Sequence, residues 1–337
     1  MAANVVVHVV WNTQAENIPD ALIQSVIQQM DQDFNAENPD LASVRPAFVN
    51  MIGNPDIRFC LAQVDPWGDP TNGITRTFTT ATWFDPNWQP HAMKSPPLGI
   101  SAWDPSKYLN IWVCDINGGS WGIVSGYTYL PTGGMAGSPN DGLVIDYQHG
   151  MTLTTRTATH EAGHYFGLRH TFDGNSCFSD DGIADTPNTD SPTWSCGNSN
   201  LQKCGTLTQF ENFLDYAPCL SMFTTQQCTY MNGVLNGLRA SLLTATGCGL
   251  STAMPEHGTP GIRIFPNPTQ DLLVVEGLGP GTVHLNYYDA LGRSVMKELA
   301  TGPVHRSDLT NLPAGGYLLS ILEQDRRVVM PLIVSDR

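Results

Sequence analysis

The feature that most constrains this chain is a run of histidines at fixed spacing between residues 160 and 170. His160 and His164 are four residues apart, so on a helix both imidazoles project from one face and can bind a single metal ion. Gly167 permits a sharp turn that a Cβ atom would obstruct, and His170 can then return towards the same point as a third ligand. The spacing predicts a helix, a tight turn and a three-histidine metal site.

The number and type of these ligands indicate what the site does. Three neutral nitrogen ligands suit zinc and leave a fourth position open, which is the arrangement of a catalytic rather than a structural site. Glu161 follows His160 directly, where its carboxylate can hold and deprotonate a metal-activated water. Each spacing in the run has its own mechanical reason, so we prefer this interpretation to a helix with incidental histidines.

The composition limits the possible partners. The chain of 337 residues carries 31 acidic and 16 basic side chains, a formal net charge of −15. This excess argues against nucleic acid or an anionic membrane surface as a partner. No apolar run of about 18 residues occurs, so no membrane span is expected. The first residues contain neither a basic nor an apolar leader segment, and we expect any signal peptide and pro-segment to be absent from this chain.

Residues 1–248 alternate strand-like and helix-like patterns, which predicts an α/β domain with a twisted mixed sheet. Residues 171–223 show little periodicity and predict a loop-rich lower half. The predicted strands lie at residues 5–10, 57–64, 108–116, 126–131 and 143–145, the fourth of them an edge strand ended by a proline. The predicted helices lie at residues 19–34, from about residue 154 through the histidine run, and after residue 224 or 225.

The pattern changes after residues 249–261, a segment rich in glycine and proline that predicts a linker. Short strand-like runs separated by turn residues follow, and they predict a small all-β sandwich of the immunoglobulin type at residues 262–337. The predicted strands there lie at residues 262–265, 272–275, 283–288, 294–297, 317–322 and 328–334. No cysteine and no cluster of candidate metal ligands occurs in this part of the sequence, so we expect an accessory module behind a catalytic domain.

The cysteines indicate the redox environment. Six of the eight lie between residues 177 and 248, in the loop-rich stretch after the histidine run. That distribution is typical of disulfides in an oxidising compartment. A second zinc site is the alternative, although no C-x-x-C motif supports it. Cys60 and Cys114 lie in apolar strand-like runs, where a buried thiol is as consistent as a disulfide.

Residues 4–245 resemble the pappalysin family of metzincin metallopeptidases, in particular its bacterial cytophagalysin-like branch. The pattern H-E-x-x-H-x-x-G-x-x-H is the metzincin signature, and residues 212–216 read N-F-L-D-Y where the family usually has N-[FY]-M-D-Y at its Met-turn. The resemblance implies that Tyr216 helps to stabilise the tetrahedral intermediate. Leu214 stands where the methionine is expected; that methionine forms a packing floor rather than a metal ligand, and leucine nearly conserves its volume.

The resemblance also implies features of the loops. It suggests disulfides Cys177–Cys204 and Cys196–Cys219, which leaves Cys228 and Cys248 to pair. It implies that the substrate backbone adds as an antiparallel strand to the sheet edge at Gly126, Tyr127 and Thr128.

A calcium site is implied in the loop at residues 179–187, with Asp180, Asp181, Asp185 and Thr186 as candidate ligands. Hard oxygen ligands suit calcium, although an acidic loop is often only solvated. Some family members that prefer a basic residue beside the scissile bond carry acidic residues just after the tyrosine. Ala217 and Pro218 stand there in this chain, which argues against that preference.

Residues 262–337 resemble the C-terminal sorting domain of the type IX secretion system of Bacteroidetes. The resemblance rests on F-P-N-P at residues 265–268, Y-D-A-L-G-R at 288–293 and L-P-A-G-G-Y at 312–317. It implies a secreted or cell-surface protein that the type IX machinery exports. A generic sandwich for adhesion or carbohydrate binding is the alternative.

The sequence as a whole therefore predicts a secreted zinc endopeptidase that acts on protein or peptide substrates, with Glu161 as general base and Tyr216 beside the oxyanion. Two alternatives remain open. One is a zinc-binding pseudoenzyme, which Leu214 suggests. The other is a surface adhesin that uses the metzincin domain as a platform, which the C-terminal sandwich suggests. The sequence leaves the oligomeric state open.

Overall fold

A computed structural model of the protein describes residues 2–117, 122–244, 262–289, 293–323 and 326–335. Contacts divide the chain into two compact units, one formed by residues 1–63 and 71–248 and the other by residues 64–70 and 249–337. Each unit has its own hydrophobic core. The predicted linker at 249–261 lies outside the described residues, and the domain boundaries drawn from the sequence stay a prediction.

A mixed sheet forms the centre of the first unit, with six strands among the described residues. They are β1 (Ala2–Trp11), β2 (Arg58–Leu61), β3 (Ile74–Phe78), β4 (Tyr108–Cys114), β5 (Gly126–Tyr127) and β6 (Leu143–Asp146). β1 lies in the middle, parallel to β2 and β3 on one side and to β4 on the other, and β6 continues the sheet beside β4. β5 is antiparallel to β6 and forms the outer edge.

Both faces of β1 are covered, which explains its unbroken apolar run. Val7 and Val9 belong to the large core cluster beneath the helices, whereas Val6 and Val10 pack on the opposite face. The α/β prediction is confirmed. β3 was not predicted, and the predicted edge strand at 126–131 is reduced to two residues, because only these pair with β6.

The described α-helices are α1 (Asp20–Phe34), α2 (Thr157–Tyr165) and α3 (Thr225–Asn236). α3 begins with a capping box in which the Thr224 side chain and the Gln227 side chain each bond the other's backbone N–H. Beyond α3, the guanidinium of Arg239 forms a buried ion pair with Asp141 and donates to the Tyr165 carbonyl at 2.8 Å. None of these helices has the length and apolarity that crossing a bilayer requires.

The stretch between α2 and α3 is loop-rich, as predicted, and two disulfides fix it. Its only described strands are the short pair β7 (Gln202–Lys203) and β8 (Thr206–Leu207). The disulfides are Cys177–Cys204 and Cys196–Cys219. Each crosslink lowers the conformational entropy of the unfolded chain and so stabilises the folded loops.

The predicted bond between Cys228 and Cys248 is wrong. Cys228 is a free thiol on the inner face of α3, buried to 4% exposure. A Cβ atom added at Gly53 would lie 2.6 Å from its sulfur, so the thiol fills the narrow space between α3 and that backbone. Burial raises the pKa of Cys228 to about 12. Cys248 lies outside the described residues. Of the two cysteines left open, Cys60 is disulfide-bonded and Cys114 is a buried free thiol.

The second unit is all-β in its described part, as predicted. Its strands are β9 (Arg263–Phe265), β10 (Leu272–Glu276), β11 (Thr282–Asp289), β12 (Ser294–Thr301), β13 (Val304–Asp308), β14 (Gly315–Glu323) and β15 (Arg326–Val334). They form two antiparallel sheets, in the orders β13-β10-β9 and β12-β11-β14-β15. Leu273 and Val275 of one sheet and Leu285 and Leu319 of the other belong to one buried cluster. β13 was not predicted, because its polar sequence resembles a loop.

Candidate metal centre

Helix α2 and the turn after it place the histidines. His160 and His164 lie one helical turn apart on α2. The helix ends in a Schellman motif, in which the Leu168 N–H bonds the Gly163 carbonyl at 3.0 Å and the Gly167 N–H bonds the His164 carbonyl at 2.8 Å. Gly167 has φ +93° at the position of this motif that favours glycine. The turn reverses the chain, and His170 returns to the same point.

The three imidazoles converge on one another. The Nε2 atoms of His160, His164 and His170 are each 3.1 Å from the other two. The Nδ1 of His160 donates to the Phe213 carbonyl at 2.6 Å, and the Nδ1 of His164 donates to the Leu168 carbonyl at 2.7 Å. These bonds place the ring protons on Nδ1, so the Nε2 lone pairs point inwards.

This arrangement fits a metal ion. Nitrogens that share one tetrahedral zinc ion at about 2.0–2.1 Å would be about 3.3 Å apart, close to the observed separations. Burial lowers the pKa of all three histidines, that of His170 to about 3. The rings are therefore neutral and free to act as ligands. Cys177, Asp190 and Cys204 form the other cluster of possible ligands among the described residues, but the two cysteines are bonded to each other and supply no thiolate.

Glu161 lies on the same helix, with its carboxyl group buried. Its Oε2 atom has no hydrogen-bond partner among the described residues. Burial raises the pKa of Glu161 to about 8. Gly126 of the edge strand β5 approaches it so closely that an added Cβ would lie 3.2 Å from Glu161 Cγ. The raised pKa makes the ionised form of this carboxyl group a stronger base, and the group lies close to the sheet edge.

Residues 212–216 form the floor of the centre. Phe213 supplies the carbonyl that orients His160. Leu214 is fully buried beneath α2, and its Cδ2 would be 2.9 Å from a Cβ added at Gly163. Glycine at that position lets the leucine pack directly against the helix. The Asn212 side chain accepts from the Leu214 N–H at 3.0 Å and so fixes the turn.

Tyr216 brings a hydroxyl group to the histidines. Its Oη is 3.1 Å from His170 Nε2. Its ring contacts those of His170 and Phe172, with centroid distances of 5.0 Å in both cases. Burial, reinforced by the negative charges of Glu161 and Asp215, raises the pKa of Tyr216 to about 12. The phenol therefore stays protonated and can donate a hydrogen bond.

The acidic loop does not gather its carboxylates around one point. Asp181 accepts a hydrogen bond from the Thr186 hydroxyl at 2.8 Å, and burial raises the pKa of Asp181 to about 7. Asp185 instead accepts from the Thr224 hydroxyl at 2.6 Å and from the Gln226 N–H at 3.0 Å, at the start of α3. No converging set of acidic ligands is found among the described residues of this loop.

The sequence analysis did not identify three features of the centre. The carbonyls of Leu168 and Phe213 are backbone groups, so no residue type marks them. Phe172 stacks on His170 with a centroid distance of 4.7 Å and an angle of 8° between the rings. Its position two residues after the last histidine is the signal that could have indicated it.

Two family models match the chain. Residues 95–236 match the pregnancy-associated plasma protein-A peptidase family, and residues 263–335 match a secretion system C-terminal sorting domain. Together they cover the metal centre and nearly all of the described β-sandwich.

Among similar proteins, an extracellular metalloprotease of Colletotrichum graminicola is 37% identical over 145 residues, which are 39% of this chain and 50% of that protein. An extracellular metalloprotease of Sordaria macrospora is 36% identical over 148 residues, 40% of this chain and 50% of the relative. The chain thus spans about half the length of these relatives.

A solved structure extends the similarity to almost a whole chain. It is mature mirolysin of Tannerella forsythia in complex with a cleaved peptide, 37% identical in sequence, with a TM-score of 0.66. The match covers 71% of this chain and 94% of mirolysin. A similarity of this extent in both sequence and fold, across the residues that build the metal centre, means that the chain belongs to the pappalysin family of metzincin metallopeptidases.

Proposed function

We propose that this protein is a secreted zinc endopeptidase. The observation that carries the proposal is the convergence of three neutral Nε2 atoms within 3.1 Å of one another, with buried Glu161 on the same helix. His160, His164 and His170 would hold the ion. Bound zinc supplies a Lewis acid that polarises the scissile carbonyl and makes a water molecule acidic enough to lose a proton near neutral pH.

Glu161 is proposed to move the proton. Its unpartnered Oε2 can accept a proton from the attacking water and deliver it to the nitrogen of the leaving amine. The buried setting excludes competing water from the carboxylate, and the missing Cβ of Gly126 lets the edge strand pack directly against Glu161.

Tyr216 is proposed to stabilise the negative charge that develops on the carbonyl oxygen. Its protonated Oη, 3.1 Å from His170 Nε2, lies where a hydrogen bond to that oxygen can form. The ring contacts with His170 and Phe172 hold the phenol in place without a covalent tie.

The substrate is proposed to bind along the edge strand β5. Gly126 and Tyr127 pair with β6 on one side, and no described strand pairs with β5 on the other. An extended peptide can add there as an antiparallel strand, and Thr128 continues the same edge. This arrangement brings the peptide backbone past Glu161 and the histidines. The similarity to extracellular metalloproteases and to mirolysin supports a peptidase over the pseudoenzyme that Leu214 suggests and the adhesin that the sandwich suggests.

A zymogram tests the proposal directly. The zinc-loaded protein should clear gelatin or casein, lose that activity with 1,10-phenanthroline, and regain it when zinc is restored. A folded, zinc-loaded protein that clears neither substrate would remove the peptidase assignment and leave the pseudoenzyme or adhesin.

Glu161→Gln should keep the metal and lose activity by about 10²–10⁴-fold, because the amide cannot take up the proton. All three metal ligands remain, so atomic absorption should find zinc as in the parent. Glu37→Gln is the matched control: it changes an exposed carboxylate that pairs with Arg58, and it should cleave peptides as the parent does. Full activity of Glu161→Gln would exclude the proposed role.

Leu214→Met should change the free energy of unfolding by less than about 1.5 kcal/mol, since the substitution nearly conserves volume. Leu214→Ala should cost about 2–5 kcal/mol, because it opens a cavity beneath α2. Urea unfolding measures both, and peptide hydrolysis shows whether leucine limits turnover. A large gain of activity in Leu214→Met from an inactive parent would support the pseudoenzyme.

A calcium ion bound by Asp180, Asp181, Asp185 and Thr186 stays a prediction. The buried carboxylate of Asp181 supports it, because a dication would stabilise the charge that burial disfavours. The caps that Asp185 makes on α3 oppose it. Calcium added to calcium-free protein should raise the melting temperature of the parent and leave Asp181→Asn unchanged. Equal responses of the two proteins would rule out this site.

We also propose that the type IX secretion machinery exports the protein by way of residues 262–337. Support comes from the sorting-domain match at 263–335. A chain ending at residue 258 should retain peptidase activity within about threefold when purified, because all proposed catalytic residues precede it, and should no longer leave the native host. Full-length Glu161→Gln serves as the export control. Normal export of the shortened chain would contradict the sorting role and favour an adhesive sandwich.

A further inference from the structure

An exposed tryptophan lies beside the proposed catalytic tyrosine. Trp194 is 72% exposed, and its ring centroid is 5.4 Å from that of Tyr216. The hydroxyl of Tyr216 is in turn 3.1 Å from His170 Nε2. An extended aromatic surface therefore runs from the metal centre outwards to solvent.

The backbone that carries Trp194 is fixed on both sides. Thr193 is buried, and its N–H donates to Asp215 Oδ1 at 2.8 Å, which ties it to the residue before Tyr216. Cys196 is bonded to Cys219, three residues after Tyr216. The tryptophan is thus held out to solvent on a fixed segment, with little conformational entropy left to lose when a ligand covers it.

The carboxylate nearest to Tyr216 in sequence offers no partner to a basic ligand. The carboxylate of Asp215 belongs to a residue that is only 1% exposed, so a ligand cannot reach it. The ammonium of Lys203 donates to the Pro192 carbonyl at 3.0 Å and to the Thr193 hydroxyl at 3.2 Å, so a cation is already held on this segment, which also carries the exposed carboxylate of Asp190. Of the two residues after the tyrosine, Pro218 is exposed and apolar, whereas Ala217 is buried.

We propose that Trp194 and Tyr216 form an aromatic wall that binds an apolar or aromatic side chain of the substrate, next to the scissile bond. Trp194 would contribute to binding and specificity, because it would contact the substrate side chain and not the reacting atoms. The inference rests on the proposed peptidase function and names the substrate class for the same site. Aromatic pairs of this kind add to the free energy gained by covering the ring.

Binding tests the proposal without turnover. Zinc-loaded Glu161→Gln is titrated by calorimetry with three peptides that differ only at the residues flanking the scissile bond, carrying Phe, Ala or Arg. The Phe peptide should bind at least about 10-fold more tightly than the other two. In the double variant Glu161→Gln/Trp194→Ala, the three peptides should bind with the same affinity. Trp194→Phe should restore most of it.

Turnover by the protein with Glu161 intact provides the second readout. Trp194→Ala should raise KM for the Phe peptide by about 10-fold and leave kcat, and cleavage of the Ala peptide, within about twofold. Trp67→Ala is the matched control, because Trp67 is a similarly exposed tryptophan, at 67%, that belongs to the second unit. Zinc content and circular dichroism establish that each variant is folded.

The outcomes separate the two proposals. If Trp194→Ala weakens all three peptides equally or none of them, or if the Arg peptide depends on Trp194 most, the aromatic wall for apolar side chains is wrong while the peptidase stands. If the zinc-loaded parent neither binds nor cleaves any of the peptides, the proposed function fails, and the inference falls with it.

Discussion

The first unit is organised around three imidazole nitrogens held within 3.1 Å of one another. Lone pairs at that separation repel unless a cation lies between them, so the chain must fix each ring before metal binds. Backbone carbonyls fix two of the rings, since Leu168 orients His164 and Phe213 orients His160, and the ring of Phe172 stacks on His170. The site therefore exists only when the turn after α2 and the segment at 212–216 are both in place.

Polar and covalent ties add to the core packing of Phe213 and Leu214 in holding that segment. The Asn212 amide bonds Gln227 of α3 as well as the Leu214 N–H. Asp215 accepts from the backbone of Thr193, and a disulfide joins the flanking loops. Such ties fix the backbone beside Tyr216 and Trp194, whose side chains are exposed. They also explain why an exposed aromatic wall can stand beside the metal centre.

Several parts of this arrangement could be predicted from the sequence, and others could not. The histidine spacing predicted α2 and its turn, because helical hydrogen bonds join residues four apart and a glycine permits the reversal. The apolar run at residues 5–10 predicted the strand that the structure shows as β1, which is buried on both faces. The partner of Cys228 was predicted wrongly, since cysteine counting assumes pairing and ignores that the inner face of α3 buries this thiol against Gly53. The acidic loop resembled a calcium site, although one of its carboxylates caps a helix.

The sequence by itself determined which residues could bind metal, which could move a proton and where the β-sandwich begins to resemble a sorting domain. Those properties depend on residue type and on spacings of a few positions, which local backbone geometry converts directly into structure. Only the tertiary structure decided that Phe213 orients a histidine 53 residues away, that β5 is the outer strand of the described sheet and lies against Glu161, and that Trp194 lies against Tyr216. Contacts between distant segments depend on how sheet, helix and loops pack together, and no local pattern in the sequence encodes that packing.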